Sequence, residues 1–82
     1  MKLPRDLAGP ELVSLLRRFG YEVTRQTGSH LRLTSGLKGG EHHVTVPRHG
    51  ELRVGTLASI LTEVAAYLEI GRDDLAKELF GG

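Results

Sequence analysis

One histidine stands among arginines beside a turn. In the run Arg25-Gln26-Thr27-Gly28-Ser29-His30-Leu31-Arg32, the Thr27-Gly28-Ser29 segment reads as a turn and His30 begins a strand-like alternation. An imidazole moves protons near neutral pH, and guanidinium groups stabilise charge on phosphate oxygens. A histidine in this setting suits work on a phosphodiester. Arg25, Ser29, Arg32, Lys38 and Arg48 are the candidates for holding phosphate, and a second proton carrier could be His30 itself, His49 or water. The plainer reading of His30 is a polar residue on an exposed strand, and that of His49 is a residue closing the loop before the next helix.

Other chemistries find less support. His42, His43 and His49 suggest a metal site, but adjacent strand residues point to opposite faces, and no helix carries an HxxxH pair. The chain has no cysteine, which excludes disulfides, thiol nucleophiles and Cys-based zinc sites. There is no GxGxxG or Walker sequence. Neither a metal nor another cofactor is expected. Ser29 and His30 are neighbours, and neighbours on a strand diverge, so they are not expected to pair. The aromatics Phe19, Tyr21, Tyr67 and Phe80 fall mostly on core stripes or strands, which argues against a platform for stacking bases.

The elements that must position these residues follow from hydrophobic period. Gly9-Pro10 opens a helix whose Leu12, Leu15, Leu16 and Phe19 form one apolar stripe. Arg17 and Arg18 fall in its last turn, and Gly20 is placed for a left-handed cap. Three strand-like runs come next. Tyr21 and Val23 alternate with Glu22 and Thr24; Leu31 and Leu33 face away from His30 and Arg32; Val44 and Val46 face away from His43 and Thr45. Ser35–Gly40 reads as a flexible loop, and Pro47 ends the third strand. Leu57, Ile60, Leu61, Val64 and Leu68 then mark a second helix, begun by Gly55 or Thr56 and broken by Gly71. Asp73 or Asp74 would cap a short third helix carrying Leu75, Leu79 and Phe80. The expected class is α+β: a three-stranded antiparallel sheet with helices on one face, in the order α-β-β-β-α-α.

Composition agrees with a single domain over residues 1–82. Hydrophobic residues are 39% and charged residues 26%, ordinary for a globular chain. No apolar run approaches the ~20 residues of a membrane helix, and the first residues lack a signal-peptide stretch, so no membrane partner and a cytoplasmic location are expected. The formal net charge of +1 hides an asymmetry: residues 1–54 carry nine Lys/Arg against five Asp/Glu, and residues 55–82 carry two against five. All four histidines lie in the basic part, which suggests a surface facing a polyanion.

Three motifs in register add a family likeness. Arg25-Gln26-Thr27-Gly28-Ser29-His30 resembles the R-Q-x-G-S-H segment of the HicA family of toxin–antitoxin mRNA interferases. Val44-Thr45-Val46-Pro47-Arg48-His49 is similar to that family's V-x-V-P-x-H strand end, and Gly55-Thr56-Leu57-Ala58-Ser59-Ile60-Leu61 to its G-T-L-x-x-I-L helix opening. The likeness runs from about Leu12 to Leu61. It implies a fold like the double-stranded RNA-binding domain and an endoribonuclease acting on mRNA, with His30 as the catalytic residue. It also implies a HicB-type antitoxin that covers the His30 face. The second helix here runs on through Glu63–Leu68, about a turn longer than the family pattern, and the Ser35–Gly40 loop is rich in glycine. The rival reading from another class is a non-catalytic RNA-binding module with the same fold and basic face; a zinc-dependent hydrolase is a third.

Overall fold

The computed structural model describes residues 3–81. Its elements are α1 (Gly9–Leu16), β1 (Glu22–Gln26), β2 (His30–Ser35), β3 (His42–Pro47), α2 (Val54–Leu68) and α3 (Arg72–Phe80). The strands form one antiparallel sheet in the order β1-β2-β3. This is the expected α+β class and element order. α1 and α2 pack on the sheet, and α3 packs on α2. No single helix among the described residues is long and apolar enough to cross a membrane.

The core is built by the stripes the periodicity marks. Leu12 and Leu16 of α1, Leu33 and Val46 of the sheet, and Leu57, Leu61 and Val64 of α2 are fully buried. Each such side chain contributes roughly 1.5–3 kcal/mol by leaving water. Leu31 and Val44 complete the inner sheet face, and Leu75 and Leu79 of α3 join the same cluster. Strand parity therefore commits one sheet face to the core and leaves His30, Arg32, His43 and Thr45 on the other.

Several boundaries differ from expectation. α1 ends at Leu16, and Arg17–Phe19 forms a short 3-10 turn instead of the last helical turn; Gly20 then takes the left-handed cap at φ 82°. β1 has no buried face. Tyr21 enters the core just before the strand, and a bulge between Val23 and Arg25 breaks the alternation on this edge strand. Ser35 belongs to β2 and is buried; its hydroxyl donates to the Phe19 carbonyl at 2.8 Å.

α2 starts one residue before Gly55, from an extended Arg53, so neither Gly55 nor Thr56 is its cap. It is ended not by Gly71 but by Glu69, which takes the left-handed conformation at φ 60°. Gly71 instead precedes α3. Asp73 and Asp74 lie inside the first turn of that helix, where their charge complements the dipole without a side-chain cap.

One close approach anchors the site end of the sheet. Gly9, at the start of α1, packs on the end of β3 so tightly that a Cβ there would run into the Pro47 carbonyl oxygen. The preceding segment is tied down as well, through the Leu52 N–H donating to the Leu7 carbonyl at 2.8 Å.

Candidate functional site

The turn joining β1 to β2 presents His30. The Thr27 N–H donates to the His30 carbonyl at 2.9 Å, and the His30 N–H returns to the Thr27 hydroxyl at 3.0 Å. The same hydroxyl accepts from the Ser29 N–H at 3.4 Å. A threonine side chain thus closes a turn that leaves Gly28 and Ser29 at its tip, a local bond pattern that hydroxyl residues favour.

Ser29 and His30 do meet, against the expectation that they diverge. The Ser29 hydroxyl lies 2.9 Å from His30 Nδ1. The parity rule fails here because Ser29 belongs to the turn, not to the strand. The bond fixes the ring through Nδ1, and Nε2 makes no hydrogen bond to the described residues.

Arg25, Thr27, His30, Arg32 and Thr45 line one open cleft of about 320 Å³ on the outer sheet face. Arg25 stands opposite Arg32 in the β1–β2 register, and Arg32 stands opposite Thr45 in the β2–β3 register. Three strands therefore place a row Arg25–Arg32–Thr45 across the sheet, with His30 two residues along β2. Like charges directly opposite on a sheet are destabilising. Neither arginine is in ion-pair distance of a carboxylate among the described residues; the pairs there are Arg18–Glu78, Lys38–Glu69 and His43–Glu41. Two unneutralised guanidinium groups beside an exposed imidazole make a site for an anion.

The remaining candidates lie elsewhere. β2 spans roughly 16 Å from His30 to Ser35 at ~3.3 Å per strand residue, and Lys38 sits in the loop beyond that far end. Its ammonium pairs with Glu69 at 3.3 Å, and its N–H donates to the Tyr67 hydroxyl at 2.9 Å. Arg48 and His49 do not line the cleft but flank the turn from the β3 side. The Arg48 N–H donates to the Ser29 carbonyl at 2.9 Å, and His49 Nε2 lies 2.7 Å from the Gly28 carbonyl.

His42 and His43 separate to opposite faces. His42 Nδ1 lies 2.7 Å from the Tyr21 hydroxyl, and its ring stacks on Tyr67 at 4.8 Å. Burial, with lesser contributions from Tyr67 and Glu63, pushes the Tyr21 phenol well above its usual range, so it stays protonated. His43 Nδ1 lies 2.7 Å from the Thr34 hydroxyl, which in turn bonds Thr24 at 2.7 Å. Among the described residues no three His, Asp or Glu side chains gather closely enough to hold one metal ion.

Sequence reasoning passed over Thr27 and Thr45. Thr45 was within reach, because parity puts it on the face of His30 and Arg32. Thr27 carried a weaker signal, a hydroxyl residue just before Gly-Ser.

A family model described as the HicA toxin of bacterial toxin–antitoxin systems matches residues 9–65. The match spans the arginine row, the Gly28-Ser29-His30 turn and His49, and stops inside α2. No curated protein and no solved structure matches the chain.

Proposed function

We propose, from the premise that this chain belongs to the HicA family of toxin–antitoxin toxins, that it is an endoribonuclease cutting mRNA by proton transfer through His30. Toxins of this family pair with HicB antitoxins. The observation that carries the reading is the exposed His30 imidazole, oriented at Nδ1 by Ser29, in a cleft with two uncompensated arginines. In the productive tautomer, His30 Nδ1–H donates to the Ser29 hydroxyl and Nε2 carries the lone pair. Nε2 takes the proton of a ribose 2′-OH. That oxygen forms a bond to the adjacent phosphorus, the bond from phosphorus to the 5′-oxygen breaks, and the leaving oxygen takes a proton from the imidazolium or from water. Arg25 and Arg32 hold the phosphate oxygens as charge builds on them. None of these steps calls for a metal ion. Lys38, at the far end of β2, has no part in them.

Replacing His30 by Ala tests this directly. The side chain is exposed, so stability should change by no more than about 0.5 kcal/mol. Proton transfer by a positioned group is worth ~10²–10⁴ in rate. The variant should fold, keep most of its RNA affinity and lose single-turnover cleavage by about that factor. Cleavage at the wild-type rate would leave the non-catalytic RNA-binding module as the better reading. The same basic face suits the HicB partner, which by this reading covers His30. Adding antitoxin should then shift the NMR signals of His30 and Arg32; signals that stay put while the complex forms would move the interface elsewhere.

A further inference from the structure

β2 begins at His30 and β3 ends at Pro47, and these two residues are register partners. Proline has no N–H, so β3 has no donor of its own at that position. Yet the turn beyond His30 is held from the β3 side at two successive carbonyls. The Arg48 N–H reaches the Ser29 carbonyl, and the His49 side chain reaches the Gly28 carbonyl at 2.7 Å. His49 thus supplies with its imidazole a rung that the backbone does not. On the β1 side the Thr27 hydroxyl grips the same turn. The base of the arrangement is fixed by Gly9 against the Pro47 carbonyl.

We infer that His49 is a positioning residue, whose Nε2–H clamps the Gly28 carbonyl and so holds the turn that carries Ser29 and His30. A carbonyl oxygen can only accept, so Nε2 must bear the proton, whether the ring is neutral or charged. That nitrogen cannot release its proton to a leaving group without letting go of the turn. His49 also stands outside the cleft lined by His30 and the arginines. The inference deepens the nuclease reading and rests on it for the cleavage readout alone.

Three measurements on the full chain test it. In the wild-type protein at a pH where the ring is neutral, a nitrogen-correlated spectrum of the imidazoles should show His49 as the Nε2–H tautomer; an Nδ1–H tautomer overturns the clamp. Amide hydrogen exchange of Arg48 and His30 reports the hold on the turn without RNA. His49→Ala should speed it about fivefold, the worth of one net hydrogen bond. In His49→Gln the amide N–H takes the place of Nε2–H, and exchange should return to within twofold of wild type. Cleavage should follow the same order, low in His49→Ala and largely restored in His49→Gln. Unchanged exchange in His49→Ala overturns the inference. So does a His49→Gln protein with restored exchange and cleavage as low as that of His49→Ala, because the imidazole would then be moving a proton. If the wild-type protein cuts no RNA, the nuclease reading fails and the tautomer and exchange measurements still decide the clamp.

Discussion

The two ends of the β2–β3 pair carry the same small device in opposite settings. At one end His30 bonds a hydroxyl through Nδ1, that of Ser29 at 2.9 Å; at the other, His42 bonds a hydroxyl through Nδ1, that of Tyr21 at 2.7 Å. His30 is exposed, beside two arginines and an open cleft. His42 is half-buried, stacked on Tyr67, whose own hydroxyl donates to the Gly40 carbonyl at 2.6 Å and so pins the 35–40 loop. The bond at Nδ1 orients a ring in both cases. What distinguishes them is whether a substrate can reach the ring and what charge surrounds it. The proposed function uses the first end to receive an anion; the second end holds a loop.

That contrast can be broken by exchanging the expected phenotypes. His42→Ala leaves the buried Tyr21 hydroxyl without its hydrogen-bond partner, which costs roughly 1–3 kcal/mol. It should lower the denaturation midpoint clearly, whereas His30→Ala should not. Equal melting of the two variants would show that the ends are not different in kind.

A smaller effect sharpens the same comparison through charge. If Arg25 and Arg32 each neutralise one phosphate, replacing either by Ala should flatten the plot of log RNA affinity against log salt by about 0.7–0.9. Lys38→Ala, at the loop end and paired with Glu69, should leave that slope at the wild-type value. A Lys38 effect as large as that of Arg32 would extend the RNA path along the whole strand.

The outer face was legible because parity is a strict rule on a two-faced sheet. Leu31 and Leu33 had to go inward, which sent His30 and Arg32 outward together. The two helical stripes were equally clear for α2, where Leu57, Ile60, Leu61, Val64 and Leu68 are all buried. Reading failed where non-local contacts decide. Ser35 looked like loop because its role is to accept the Leu37 N–H and to donate to Phe19, sixteen residues away. β1 looked amphipathic because the bulge at Thr24 leaves no mark in composition. The Ser29–His30 bond escaped because a rule for strand neighbours was applied across the junction of turn and strand, where Ser29 is still part of the turn. Lys38 joined the phosphate candidates by charge alone, and the length of β2 carries it away from His30. His49 stood open between two roles because its partner, the Gly28 carbonyl, is backbone and has no sequence signature.

The central claim is that His30 activates a 2′-OH of RNA and that the chain's own residues suffice. The most direct measurement is the chemistry of the new ends when end-labelled RNA is cut by the wild-type protein in excess EDTA. Attack by the 2′-oxygen predicts a 2′,3′-cyclic phosphate on one fragment and a 5′-hydroxyl on the other, formed at an undiminished rate. Ends bearing a 3′-hydroxyl and a 5′-phosphate, or cleavage lost in EDTA and regained with magnesium or zinc, would contradict the account.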